Sequence, residues 1–377
     1  MYIRDFISGK QEKQYQYRSF LPNPVNHAWI TADEKLDHML SRANICLGEL
    51  NAFSSLVPDV DYFIRMHVQK EALTSSRIEG TRTRLEEALQ KEEYIDPERR
   101  DDWQEVRNYV LAMNTSIESL SRLPISGRII RQAHKVLLQG VRGEHKQPGE
   151  YRQSQNWVGG SSIQDALFIP PHHTEVPELM SDLEKFLNNE DLMIPDLIRI
   201  GIAHYQFETI HPFLDGNGRI GRLIITLFLV SRKVLTRPVL YLSDFLEKNR
   251  VHYYDRLTRA RVQNDLAQWL IFFLEGVRQT AENSIITFRK IIDMRQRLET
   301  HDMPKLGKKA PSGMALLRLL YSQPVVDGND VAEMLNVNIS TALRMISDFE
   351  KLGILQEMTG YRRNRVFIFG EYVSLFG

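Results

Sequence analysis

Apolar residues recur at helical spacing from Thr31 to about residue 300, and this long run restricts the fold more than any other feature. The segments Trp103–Leu120, Ile129–Leu138, Val176–Leu187, Leu197–Ile210, Arg219–Val230, Tyr253–Val262 and Leu266–Phe288 each carry an apolar stripe at steps of three and four. A chain of this kind buries its stripes helix against helix, so the predicted fold class is mainly α. Thr31-Ala32-Asp33-Glu34 reads as a capping box that opens the run. No repeat of 20–50 residues is evident, which argues against a solenoid. The first thirty residues read as an irregular extended arm, with Tyr15, Tyr17, Phe20 and Trp29 packing it onto something larger.

Two segments interrupt the helical pattern. Tyr151–Pro171 places β-type residues on both sides of Gly159-Gly160-Ser161-Ser162 and ends on Pro170-Pro171, which predicts a β-hairpin over 156–171. His301–Ser312 is polar and basic with two prolines and reads as a linker. Beyond it, Met314–Tyr321, Asp330–Leu335 and Ile339–Leu352 read as helices. Ile354–Met358 and Val366–Phe369 alternate around Thr359-Gly360. Three helices followed by a hairpin is the winged-helix plan. The predicted domains are an N-terminal arm with helices over 1–100, a helical core over 101–300, a linker over 301–312 and a winged helix over 313–377.

The chain has 377 residues, with 48 basic and 48 acidic side chains. A formal net charge of zero excludes a simple polyanion binder and requires positive potential to be concentrated locally. The single cysteine, Cys46, can form neither an internal disulfide nor a cysteine-rich zinc site. The start of the chain has no apolar signal core, and the longest apolar stretch, Leu223–Val230, is too short to cross a bilayer. The expected location is the cytoplasm, with no membrane partner.

One stretch carries concentrated chemistry: His211-Pro212-Phe213-Leu214-Asp215-Gly216-Asn217-Gly218-Arg219-Ile220-Gly221-Arg222. Gly216 and Gly218 permit backbone conformations in which N–H groups converge on an anion, at the positive end of the helix that follows. Arg219 and Arg222, three apart, share a helix face and can grip phosphate oxygens. Asp215 is a hard oxygen ligand suited to a magnesium ion carried by a nucleotide. His211 is the nearby group able to take a proton at neutral pH.

This stretch resembles the signature of the Fic family, HPFx(D/E)GNGRxxR, at every fixed position. Most Fic proteins are adenylyltransferases that move AMP from ATP to a protein hydroxyl. The resemblance implies a Fic-fold helical core from roughly Asp101 to Phe273. The Pro-x-Pro arm and the C-terminal winged helix also resemble bacterial members. It implies that His211 deprotonates a Ser, Thr or Tyr hydroxyl and that Asp215 holds Mg²⁺ between the α- and β-phosphates. Gly216, Asn217 and Gly218 would form an anion hole, and Arg219 and Arg222 would bind the outer phosphates. Related Doc phosphotransferases carry a lysine where Gly218 stands, so a glycine there favours AMP transfer. The hairpin becomes a flap that holds the target by strand addition, with Trp157, Val158, Phe168 and Ile169 as its strands. Adenine contacts are expected from Tyr253, Tyr254 and Asn264.

Upstream, Ser75, Glu79 and Gly80 match the family's inhibitory motif, (S/T)xxxE(G/N). The resemblance implies that Glu79 pairs with Arg222 and occupies the site of the γ-phosphate, restraining the enzyme. The partners implied are a target protein with a hydroxyl side chain and a second copy of the chain in a dimer. Residues 305–377 hold nine Lys/Arg against seven Asp/Glu, a weak basic surplus in which Arg362, Arg363 and Arg365 of the wing are the best phosphate contacts. Two further readings therefore stand beside the transferase. One is a regulator that binds duplex DNA through the winged helix and senses nucleotide with the Fic domain. The other is an enzyme that removes AMP using Glu79.

Overall fold

The computed structural model describes residues 1–56, 60–360 and 364–377. In chain order the elements are β1 (Gly9–Lys13), β2 (Arg18–Pro22), α1 (Glu34–Leu56), α2 (Val60–Ile78), α3 (Leu85–Ala88), α4 (Arg100–Ser119), α5 (Gly127–Leu137) and α6 (Val176–Asn188). They continue with α7 (Asp196–Ile210), α8 (Asn217–Ser231), α9 (Ser243–Lys248), α10 (Arg250–Gln263), α11 (Leu266–Arg297) and α12 (Ala310–Ser322). The last elements are β3 (Val325–Asp327), α13 (Gly328–Leu335), α14 (Ile339–Lys351), β4 (Gln356–Glu357), β5 (Val366–Ile368) and α15 (Gly370–Ser374). The chain is mainly helical with small antiparallel sheets, as its periodicity predicts.

The core is organised around α7 and α11. Every residue of α7 from Leu197 to Ile210 is buried, so this helix has no solvent face. The 32-residue α11 packs along α1, α7 and α10. Trp269 on α11 donates its indole N–H to the Gly201 carbonyl at 2.9 Å. A methyl group on Gly201 would stand only 2.8 Å from a Leu270 methyl, so a side chain there would separate the two helices. This contact fixes α7, whose last residue precedes His211.

Several expectations are corrected. The cap of α1 is Asp33, whose carboxylate accepts from the Leu36 N–H at 2.9 Å, rather than Thr31. The N-terminal arm is ordered as a β1–β2 hairpin with Gly9 opposite Pro22 and Lys13 opposite Arg18. The segment 156–171 forms a single β-bridge, Val158 to Phe168, instead of a two-stranded hairpin. Asp165 accepts from the backbone N–H and hydroxyl groups of Ser161 and Ser162, which curls the tip into a compact turn where ladder pairing would have continued.

The expected linker is also helical. A π-turn over Leu298–Asp302 and a 3₁₀ segment over Met303–Lys309, kinked at Gly307, join α11 to α12. Met303 and Asp302 are buried, and Asp302 takes ion pairs from Arg297 and Lys305, so the polar composition serves a packed junction. After it, α12, α13 and α14 are followed by β4 and β5, and β3 adds a third strand in the order β3-β5-β4. Arg365 is paired with Glu350 at 2.9 Å. Arg362 and Arg363 lie outside the described residues.

No described helix is long and apolar enough to cross a membrane. The reassigned cap is directly testable. Asp33→Ala should lower stability by about 1 kcal/mol in denaturant unfolding, while Thr31→Ala should stay within about 0.5 kcal/mol of the parent.

Candidate active site

Two helices of the core set up the loop that carries His211. α7 ends on His211 in the left-handed conformation (φ 49°), and α8 begins after Gly216 in the same region (φ 74°). The second position favours glycine because an L side chain is strained there. Asn217 closes the loop from inside: its amide accepts from Phe213 N–H and donates to Phe213 C=O, both at 2.8 Å. The side chain of Asn217 is therefore a brace, and its role in an anion nest is left to its backbone.

Neighbouring segments clamp the same loop. Arg152 donates from Nε to the His211 carbonyl at 3.0 Å, and its backbone N–H donates to Pro212 C=O at 2.9 Å. Asn156 donates its amide to the carbonyls of His211 and Phe213. His134 stacks on Phe213 at 3.8 Å between centroids. Its Nδ1 accepts from Gly149 N–H, so Nε2 carries the proton and donates to Asp215 C=O at 3.0 Å. Burial holds the His134 pKa down to about 4, keeping it neutral for this task.

His211 is half-buried, and its Nδ1 is shielded from solvent with no partner. Burial, and then the Arg152 charge, depress its pKa to about 4, against smaller opposing effects of the Glu208 carbonyl and Glu79. At neutral pH the ring is an unprotonated base. Asp215 projects to solvent with 46% of its side chain exposed, 3.6 Å from the Arg219 guanidinium. Among the described residues no group of three or more metal-ligating side chains gathers. One exposed carboxylate suits a magnesium ion that arrives on phosphates and keeps most of its water.

The two arginines of α8 are buried and already paired. Arg219 meets Glu105 of α4 at 3.1 Å. Glu105 also accepts from the Thr81 hydroxyl and from Arg142. Arg222 donates from Nε to Ser75 Oγ at 2.8 Å, and from one Nη to Ser75 C=O at 2.9 Å and Glu79 Oε1 at 2.7 Å. The Ser75 carbonyl is available because the last turn of α2 tightens: Glu79 N–H bonds Ser76 C=O and Gly80 N–H bonds Arg77 C=O. A cation at this helix C-terminus satisfies an orphan carbonyl and the helix dipole together.

Burial pushes the Glu79 pKa up, but the Arg222 charge and hydrogen bond outweigh it and hold the carboxylate ionised. Gly218 adopts helical dihedrals, so its need for glycine is spatial. A methyl group there would collide with the Glu79 carboxylate and stand 2.9 Å from Arg222 Nη1.

A cavity of about 270 Å³ opens beside these groups, with His211, Arg222, Glu79, Tyr253, Tyr254 and Trp157 in its wall. Tyr253 is buried and hydrogen-bonds His204 at 2.9 Å, while Tyr254 is half-exposed. Asn264 is not brought to this cavity. Its carbonyl oxygen accepts from both the N–H and hydroxyl of Ser8, which fastens the N-terminal arm to the end of α10. Val158 lines the cavity. Phe168 pairs with Val158 on the flap's far limb, and Ile169 is bound through its carbonyl to Phe20 of the arm.

Glu208 is the residue that motif reading missed. It is buried in the same wall, has no partner for Oε1, and burial pushes its pKa up to about 7. Its position three before His211, on a helix rich in apolar residues, was the available signal.

Comparison with known proteins gives this geometry a lineage. Residues 38–118 match the Fic/DOC family N-terminal domain and residues 124–229 match the Fic/DOC family domain. The chain belongs to the Fic/DOC family. Curated relatives named protein adenylyltransferase Fic include one from Aedes aegypti, 26% identical over 50% of this chain and 34% of the relative. Another from Drosophila virilis is 27% identical over 71% of this chain and 55% of the relative. The chain thus spans about a third to a half of the curated relatives it matches.

The fold is shared with a Fic family protein from Desulfovibrio desulfuricans, with a TM-score of 0.57 and 21% identity over 91% of this chain and 98% of that one. A Fic-domain signalling protein from Bacteroides thetaiotaomicron aligns with a TM-score of 0.52 and 17% identity, over 68% of this chain and 95% of that one.

The neutral base can be checked directly. The ring resonances of His211, assigned by difference from His211→Ala, should titrate with a midpoint near 4 and stay neutral from pH 5 to 8. A midpoint near the unperturbed 6.5 would show a solvated ring.

Proposed function

We propose that this protein transfers AMP from ATP to a hydroxyl of a target protein, and that Glu79 restrains the transfer. The observation that supports both halves is the Glu79–Arg222 pair at 2.7 Å in the wall of the cavity that holds His211. A carboxylate on a buried guanidinium marks where an anionic substrate would bind, and its position at a helix terminus allows it to leave.

In this reading the triphosphate lies over the start of α8. The backbone N–H groups of Gly216, Asn217 and Gly218 would face its oxygens, and Arg219 and Arg222 would neutralise the outer phosphates. Asp215 would supply the protein ligand for Mg²⁺ bound to the α- and β-phosphates, and the metal would add charge neutralisation. The neutral His211 takes the proton of the target hydroxyl. The hydroxyl oxygen bonds to the α-phosphorus, the bond to the β-phosphate oxygen breaks, and pyrophosphate leaves. Tyr253 and Tyr254 form the apolar wall available to adenine. Asn264 is withdrawn from that role by its bonds to Ser8.

The target would pair with the flap by its main chain. Val158 spends its N–H and C=O on the Phe168 limb, and Ile169 spends its carbonyl on Phe20, so the Trp157–Gly159 side remains open toward the cavity. The three C-terminal helices with β3, β4 and β5 are proposed as a winged helix. A dimeric, cytoplasmic protein remains part of the same proposal. The described wing cation, Arg365, is paired with Glu350 at the surface.

Glu79→Gly should raise incorporation of label from α-labelled ATP, into the protein itself or into targets, by at least about tenfold. Label from γ-labelled ATP should not be incorporated. Adding His211→Ala should abolish the signal. Unchanged transfer in Glu79→Gly removes the restraint, and transfer from the γ-phosphate removes the adenylyltransferase.

A further inference from the structure

The candidate site does not end at the cavity around His211. Along α10, past Leu257, the chain borders a second space of about 430 Å³. Its walls are the N-terminal hairpin, the flap limb Ala166–Ile169, and Thr258 and Arg261 of α10. Arg261 lines both spaces. An elongated ligand following α10 would therefore pass this side chain.

Arg261 has little that satisfies its charge. Its guanidinium lies 4.0 Å over the Phe168 ring, and its hydrogen bond to Thr258 Oγ1 is long, at 3.4 Å. Glu208 influences it electrostatically, but that buried carboxyl has its own pKa raised toward neutrality. Arg261 also feels Tyr205 and Tyr253, which are neutral at physiological pH. The guanidinium keeps its charge and, being only partly buried, is accessible to an incoming anion. The residues around the second space add Arg18, exposed on β2, and Lys10, which Glu12 partly offsets at 3.0 Å. No acidic residue lines it.

The backbone supplies the rest of the surface. Phe20 N–H donates to Ile169 C=O at 2.9 Å, so the flap limb is tied to β2 of the β1–β2 hairpin. Ser8 and Asn264 fasten this hairpin to α10. The space thus lies between α10 on one side and the hairpin and flap limb on the other, continuous through Arg261 with the wall of the His211 cavity.

We propose that this groove takes an extended acidic segment of the protein being modified, seating an Asp or Glu carboxylate on Arg261, with Arg18 as a second contact, while the neighbouring hydroxyl reaches His211. The inference rests on the adenylyltransferase reading for the hydroxyl step, but the binding does not require transfer.

The test uses the full chain and two fluorescein-labelled synthetic peptides. One has a central tyrosine flanked by glutamates, and the other has glutamines in their place. The glutamate peptide should bind about tenfold more tightly by fluorescence anisotropy, with the advantage shrinking as salt rises. Arg18→Gln should reduce the advantage, Arg261→Gln should remove it, and Arg261→Lys should retain part of it. Equal binding of both peptides, or an advantage unchanged in both glutamine variants, overturns the proposal. Repeating the comparison with Glu79→Gly and α-labelled ATP separates the two readings. Selective binding without AMP transfer keeps the groove and discards the transferase. Equal binding with equal labelling keeps the transferase and discards the groove.

Discussion

A buried guanidinium must have its donors satisfied, and at Arg222 this fold meets that demand partly with a carboxylate. It sits on the first turns of α8 with its side chain almost wholly removed from water. Ser75, in the last turn of α2, and Glu79, just beyond its end, take its donors. Glu208, a second carboxyl that acts on Arg222, has its pKa pushed up to about 7 by burial and so is a poor substitute. Any phosphate that displaces Glu79 inherits a site already stripped of water, where charge–charge contacts are strong. The same contact that stabilises the resting arrangement thereby defines what can replace it.

The rest of the site is rigid by comparison. Asn217, Arg152, Asn156 and His134 hold the 211–216 loop through backbone carbonyls and N–H groups, so its shape does not depend on the His211 side chain. Such bracing is what electrostatic preorganisation requires, since donors that must move during reaction lose their advantage. Glu79 lies outside this braced set. It comes from a helix end, about a third of its side chain is exposed, and Gly80 follows it with φ 107°. Its departure leaves the loop intact.

What could be read from the sequence divides along chain separation. The twelve residues from His211 to Arg222 are contiguous, and their chemistry was visible because helix end, loop and helix start are local features. The Glu79–Arg222 pair spans 143 positions and was reached through family resemblance, not through periodicity. The pairing of Arg219 with Glu105, the exposure of Arg261 to two cavities and the capture of Asn264 by Ser8 depend on long-range packing, which no motif encodes. The junction over 301–312 misled because its charges are used in packing, Lys305 on buried Asp302 and Lys309 on Asp348. The flap misled because a single aspartate, Asp165, gives its tip a better local hydrogen-bonding option than a ladder.

Glu79 and an incoming nucleotide compete for Arg222 in this proposal, and a double-mutant cycle on MgATP affinity, measured by calorimetry with Glu79→Gly and Arg222→Ala alone and together, tests that competition. Glu79→Gly should tighten MgATP binding about tenfold when Arg222 is present and less than about twofold when it is absent, a coupling of roughly 1 kcal/mol or more. Equal tightening in both backgrounds would show that Glu79 acts elsewhere and that the two do not compete for Arg222.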